Sequence, residues 1–405
     1  MGLKILFVLT AADSVISKPI LTRSNKDLND RMTMTQQLSR SQPLKQIATR
    51  VVNECLRLQP DEQATIFAWD HTIDYATALA LAVEHAGGIS TMVLQTNDFF
   101  WAYLKEVPEA QYTRRQKGFL SLLDQTDAMI TISGGPKDPS LFPTVPGGRT
   151  AKMIEGGKEV ANKFVDRKIR VLNLPFGLVT PERARTYGFD YDNWQRVTTN
   201  SLDVDHAKIS ALATKIESRL RNATNIRITA PNGTDLRLKL KNRPIHVHDG
   251  IIDKTDSDKG TLFEALPAGA IELAPDETST EGKVVFDQPT ALAGKMLSGL
   301  QWEFESGKLT KYTARSNLDA FKGLYENASG DKDLVGDIAI GLNPRAELIG
   351  FFSDRNVAGT VSIGLGGNMG IGGINDTQFG HEETLRKPTL VVDGYKLVDE
   401  GRIQS

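Results

Sequence analysis

Between residues 42 and about 180 the spacing of apolar positions switches back and forth between two periods. Apolar residues recur at helical spacing over 44–58, 75–87, 115–125 and 155–167. Short apolar runs fall between them at 64–69, 90–95, 128–133 and 168–173. The alanine-rich helix over 75–87 stops at Gly87-Gly88, because glycine readily takes the left-handed conformation that closes a helix. Strand, helix, strand, helix predicts parallel strands joined by crossovers: an α/β domain with an open, mainly parallel sheet. One more helix is predicted over 206–221, and then the period changes to two. Asp235-Leu-Arg-Leu-Lys-Leu-Lys241 alternates strictly, further strands are predicted at 225–230, 283–286 and 300–304, and Pro231-Asn-Gly233 and Gly307 supply turns. Helices are predicted over 318–326 and 334–340, and a hairpin around Asp393-Gly394 closes the chain. The pattern divides the chain into a flexible extension (1–40), an α/β domain (41–221) and a β-rich, mixed α+β domain (222–405).

Composition narrows the function. With 405 residues, 40% hydrophobic and 24% charged, the chain has the make-up of a soluble globular protein large enough for two cores. A net charge of −2 gives no electrostatic reason to expect nucleic acid or an anionic membrane as partner. The first residues, Met1-Gly-Leu-Lys-Ile-Leu-Phe-Val-Leu, faintly resemble an export signal. Their apolar run is far shorter than the roughly 20 residues a bilayer span needs, and no later run is long enough, so a cytoplasmic protein is expected. The single cysteine, Cys55, excludes an internal disulfide and cysteine-rich metal sites, and its helical context predicts a packed thiol. No GxGxxG opens a helix and no GxSxG elbow occurs, so neither a dinucleotide nor a serine nucleophile is expected.

Candidate chemistry concentrates near the C-terminus. Gly364-Leu-Gly-Gly-Asn-Met-Gly-Ile-Gly-Gly373 is too rich in glycine for a regular element and predicts backbone wrapped tightly around something. His381-Glu382-Glu383 follows it, and His-x-Glu in an extended segment puts an imidazole and a carboxylate on one side, a donor pair suited to a divalent ion. His246-x-His248 is a second same-face pair, equally compatible with an exposed strand edge. His85 and His206 read as surface residues on helices.

Several motifs taken together resemble the thermophilic leucyl metalloaminopeptidase family (aminopeptidases T and S), whose relatives include 2,5-dihydroxypyridine dioxygenases. They are Asn232-Gly-Thr-Asp-Leu236, Arg243, Asp249-Gly250, Leu266-Pro-Ala-Gly-Ala-Ile-Glu-Leu-Ala-Pro275, Glu281-Gly282, Gly336-Asp-Ile-Ala-Ile-Gly-Leu-Asn-Pro344, the glycine run, and Asn375-Asp-Thr377 before His381. The resemblance runs from about residue 41 to the C-terminus. It implies a homodimer and a pair of metal ions held by two Glu, two His and an Asp. This chain departs at nearly every ligand. Ala270 stands where a Glu is implied, with Glu272 nearby, Asp337 replaces a second Glu, and Ser362 falls where a His is implied. The His-x-Asp pair becomes His381-x-Glu383 once a one-residue insertion is placed at Gly380.

Too few donors remain for two bridged ions. The expectation is one divalent ion (Zn, Mn, Co or Fe) held by Asp337, His381 and Glu383 with Ser362 close by. Glu272 or Glu382 would then act as general base, and Arg243 and Arg345 would hold a substrate carboxylate. The function expected is a metal-dependent hydrolase of the aminopeptidase type, acting on a short peptide or an amide-like small molecule. Two alternatives are a non-haem Fe(II) ring-cleaving dioxygenase and a non-catalytic ligand-binding relic.

Overall fold

A computed structural model of the chain describes residues 34–404 except 147 and 261, so most of the flexible extension expected at 1–40 lies outside the described residues. The chain forms two compact units. One comprises described residues 34–178 with 251–263, and the other 179–250 with 264–404.

In the first unit, strands β1 (Gln63–Trp69), β2 (Ile89–Gln95), β3 (Ala128–Ile132) and β4 (Arg170–Leu174) run parallel in the order β2-β1-β3-β4, Ile66 facing Met92 on one side and Ile130 on the other. The central strands β1 and β3 are apolar and buried almost throughout, as strands covered on both faces must be. The helix α1 (Met34–Arg50) begins before the predicted boundary and runs on into a wide turn at Val51–Cys55, where the Cys55 thiol is buried, as its context predicted. The crossover helix α2 (Ile73–His85) closes at Gly87, whose φ of 84° is left-handed. Residues 251–263 return to run beside β4, the Val171 amide donating to the Leu262 carbonyl at 2.7 Å.

The second unit is an antiparallel sheet. It contains β5 (Asn225–Ala230), β6 (Thr234–His248), β7 (Ala270–Pro275), β8 (Glu281–Val285), β9 (Gln301–Glu305), β10 (Lys308–Thr313), β11 (Val335–Gly341), β12 (Val361–Gly366), β13 (Gly380–Leu385), β14 (Thr389–Val392) and β15 (Tyr395–Asp399). The path is β13-β12-β11-β7-β6-β5-β14-β15, with β8 pairing β6 and β9, and β9 pairing β10. Residues 334–340, expected as a helix, lie mostly in β11. Ile338 and Ile340 point into the core while Asp337 and Ala339 point away, a period of two that the short segment Val-Gly-Asp-Ile-Ala-Ile fits equally well. The hairpin β14–β15 turns at Asp393 (φ 44°) and Gly394 (φ 87°), left-handed at both positions as a two-residue turn requires.

The helix α3 (His206–Leu220) belongs to this unit. Its face of Ile209, Ala213, Ile216 and Leu220 is buried in the same core as Ile226, Leu238 and Leu273, so the unit begins at Val179 and not near residue 222. His206, expected on the surface, is buried with Nδ1 2.7 Å from the Asp249 carbonyl oxygen. Among the described residues no helix is long and apolar enough to cross a membrane.

Candidate functional site

Side-chain alternation along β7, β11, β12 and β13 separates two polar groups. Ile271, Leu273, Ile338, Ile340, Val361, Ile363, Leu365 and Leu385 all lie in one core. In β13 the odd-numbered residues share their face, so His381 and Glu383 point into that core. His381 Nε2 is 2.8 Å from Glu383 Oε1, Thr290 donates to Glu383 Oε2 at 2.6 Å, and the imidazole sits edge-on to Trp302 and Phe321 at 6.1 and 5.3 Å. This is a satisfied polar pair inside a hydrophobic layer.

The opposite face carries the other group. Asp337 on β11, Ser362 and Gly364 on β12, and Glu382 and Thr384 on β13 all point that way, paired in the sheet as Asp337 to Gly364, Gly364 to Glu382 and Ser362 to Thr384. Ser362 and Thr384 hydroxyls hydrogen-bond at 2.8 Å. Glu272 on β7 joins them, and the β6 register places His246 beside it. The expected ligand set of Asp337, Ser362, His381 and Glu383 is therefore divided by the sheet. Asp337 and Ser362 lie on one face and His381 and Glu383 on the other, so the four do not converge. The residues of β13 that share a face with Asp337 are Glu382 and Thr384. The insertion placed at Gly380 in the sequence reading shifts the register by one, and in a strand one residue reverses every side chain.

A guanidinium stands at the centre of this second group. Arg355, on the short helical turn Phe352–Asn356, lies 3.2 Å from Glu272 and 3.4 Å from Glu382. The turn is pinned by Asp354, whose carboxylate accepts from the Ile349 and Gly350 amides at 2.9 and 2.8 Å. His248 Nε2 is 3.1 Å from Glu272, and its Nδ1 is 3.7 Å from Glu264. Burial alone would lower the His248 pKa, but the two carboxylates outweigh it and push the imidazole up to about 10, so it is a cation at neutral pH. Burial likewise works against the Glu272 carboxylate, yet Arg355 and His248 hold it well below the ordinary range. Asp337 behaves in the opposite way. Burial first, and then the charges of Glu382 and Glu272, raise it well above the ordinary value, and Glu382 is raised too, mainly by burial. Asp337 and Glu382 flank Gly364 on this face, and both carboxyls are pushed toward the protonated form. Asp337 Oδ2 is buried and has no hydrogen-bond partner among the described residues. Glu272, Glu382 and Arg355 are 14%, 21% and 25% exposed, enough to meet a small molecule from solvent.

Gly364 makes room for this arrangement, since a Cβ there would stand 1.8 Å from Asp337 Oδ1. Gly364→Ala is expected to displace the Asp337 carboxyl and to lower stability by about 1–3 kcal/mol, read from denaturant unfolding.

The two arginines expected to bind substrate do other work. Arg243 forms a two-pronged ion pair with the buried Glu277 at 2.5 and 2.8 Å. Glu277 also accepts from Asn368 at 3.0 Å and from the Ile374 amide at 2.9 Å. The glycine run folds around this knot. Asn368 also donates to the Gly336 carbonyl, and a Cβ on Gly373 would collide with the Asn368 side chain at 2.0 Å. Arg345 pairs with Asp203 at 3.2 Å on the surface, both about half exposed. Arg345→Ala is expected to change stability by less than about 1 kcal/mol, checked by the same unfolding measurement.

Sequence reasoning missed Arg355 altogether. It also left His248 as a strand-edge histidine, although the His246-x-His248 pattern did place both imidazoles on one face.

Against known proteins, the match falls in the central part of the chain. Residues 195–366 match the thermophilic metalloprotease family, M29. The resemblance read from the sequence is thus confirmed. The M29 segment holds β5 through β12, including Glu272, Asp337 and Arg355, whereas Glu382 lies beyond it. A curated relative, aminopeptidase T of Thermus aquaticus, is 31% identical over 139 residues. That match spans only about a third of either chain, 33% of each. The solved structure of wild-type AmpT from Thermus thermophilus superposes with a TM-score of 0.70 at 17% identity, covering 90% of this chain and 100% of its own. 2,5-Dihydroxypyridine dioxygenase from Pseudomonas putida KT2440 superposes at 0.58 with 15% identity, covering 89% and 97%. These two likenesses establish the fold, an α/β unit with a β-rich unit.

M29 is by its description a family of metalloproteases. The donor set of this chain does not fit a metal ion. Among the described residues no three His, Cys, Asp or Glu side chains converge to hold one. The carboxylates that do approach each other have a guanidinium between them.

Proposed function

We propose that the chain is a hydrolase of the aminopeptidase type, cutting an amide bond beside a free amine in a small peptide-like substrate, with Asp337 and Glu382 as its acid–base pair. The observation that carries this reading is the placement of the Asp337 and Glu382 carboxyls on either side of Gly364, both raised, on a face of the sheet that solvent reaches. Two carboxyls with one proton between them provide an acid and a base at once. The carboxylate takes a proton from water as the water oxygen bonds to the carbonyl carbon. The neighbouring acid gives its proton to the leaving nitrogen as the C–N bond breaks. The products are an acid and an amine, and the pair ends with one proton, as it began.

Glu272, expected as a base, is tied to Arg355 and His248 and serves to position them.

The proposal is tested by incubating the protein with aminoacyl-anilides and dipeptides, with and without a chelator. Release of the amine that persists in the chelator and peaks between two pH limits is the expected outcome. The acidic limit marks protonation of both carboxyls, and the basic limit marks loss of the last proton. No release from any substrate, together with saturable binding of the same compounds, would favour a second reading, a binding relic. That reading is supported by Ala270 and Ser362, which stand where the family resemblance implies ligands. A ring-cleaving dioxygenase is less well supported. Two histidines and one carboxylate are the usual iron ligands. On this face His248 is tied to two glutamates and His246 lies 3.3 Å from the Ile371 carbonyl oxygen.

A further inference from the structure

We propose that Arg355 is a resident cation standing in the place of a metal ion, so that the carboxylates of this face are drawn together without any divalent ion. The proposal shares its site with the hydrolase reading but does not depend on turnover.

Three observations carry it. Glu272 on β7 and Glu382 on β13 lie on strands separated by β11 and β12, and the Arg355 guanidinium bridges them at 3.2 and 3.4 Å. Like charges brought this close on separate strands repel, and they stay together only around a positive charge. Arginine supplies that charge in a planar fork that stays protonated under all ordinary conditions. Secondly, Arg355 is held in place from outside the cluster. Asp354 anchors its helical turn through two backbone amides, and the Asn343 amide donates to the Asn356 carbonyl at the end of that turn. Thirdly, Ala270 and Ser362 on this face are small and neutral, and the Ser362 hydroxyl is turned to Thr384. A divalent ion added beside Arg355 would meet its repulsion without a sufficient donor set. The carboxylates are balanced by charges that folding itself delivers.

The experiment measures metal, not catalysis. Wild-type protein purified without added metal is analysed for bound Zn, Mn, Co and Fe, and its melting is followed with Zn2+, with Mn2+ and with chelator. Arg355→Ala and Arg355→Lys are treated identically. The expected wild type holds no stoichiometric metal and melts at one temperature in all three conditions. Arg355→Ala is expected to bind Zn2+ or Mn2+ at least about a hundredfold more tightly than wild type, because one unit charge has left a group of carboxylates a few ångströms away. Arg355→Lys keeps the charge and is expected to behave as wild type. If Arg355→Ala does not fold alone, folding restored by Zn2+ supports the proposal and failure in both conditions overturns it. One equivalent of tightly held metal in the wild type overturns it too, as does a folded Arg355→Ala that binds no better than wild type. A chain that hydrolyses nothing would leave these outcomes unchanged, so the two proposals fail separately.

Discussion

Asp337→Asn is expected to lower amide hydrolysis by roughly 10²–10⁴-fold, the usual worth of one positioned acid–base group. Asparagine has the same shape, but it cannot lend or accept the proton. The variant should fold, and removing a buried carboxyl whose pKa is raised should make stability less sensitive to pH. The sign follows from linkage. A carboxyl raised in the folded state favours folding most at low pH and loses that contribution as pH rises through its folded pKa. Wild type should therefore lose stability on passing to higher pH by more than Asp337→Asn does. Glu382→Gln should lose activity similarly, and it also removes one partner of Arg355. Unchanged turnover in both variants would remove the acid–base pair from the mechanism.

Arg243→Ala is expected to cost about 3–5 kcal/mol of stability, because it leaves the Glu277 carboxylate buried and without its cation. Glu277 is 1% exposed. Burial works against its charge, yet Arg243 and the amide and Asn368 hydrogen bonds hold its pKa down to about 2. In the wild type the pair therefore stabilises the fold above the ordinary carboxylate pKa, and that contribution is lost as pH falls through about 2. Without Arg243 the sign reverses. Burial raises the orphaned carboxyl, so the variant should gain stability relative to wild type as the medium is acidified. Urea midpoints for both proteins at neutral and mildly acidic pH test this directly. A gap that stays constant with pH would mean that the loss comes from packing alone. A role in holding substrate predicts instead a normal fold with weaker substrate binding.

How much of this was legible in the chain differs by level. The parallel strands of the first unit lie within two residues of the apolar runs, because central strands buried on both faces must be apolar throughout. The helix at Leu318–Glu326 and the hairpin at Asp393-Gly394 were equally plain. Residues 334–340 were not, since Val-Gly-Asp-Ile-Ala-Ile is too short to separate a helix from a strand. At the site, the acidic residues Asp337, Glu272 and Glu382 were all recognisable as candidates. Their partners were not, because Arg355 reaches them from a turn and nothing in the local pattern announces it. The error at His381 and Glu383 came from register. Both the expected and the observed pairing satisfy an i, i+2 spacing, and only the surrounding apolar residues of β12 and β13 determine which parity faces the core. The glycine run was read as too rich in glycine for a regular element, but Gly364–Gly366 end strand β12 and the rest folds around the side chain of Asn368 and the ion pair that it supports.

The alternation along β13 has an evolutionary consequence. Odd positions of Gly380–Leu385 carry a histidine and a glutamate, and even positions carry a glutamate and a threonine. Deleting one residue before His381 would exchange the two sets and present an imidazole and a carboxylate to the face now occupied by Arg355. Substitution at several separate codons would otherwise be needed to reach the same donors. This strand thus stores two alternative faces in a single reading of its residues, and a change of length by one residue exchanges them.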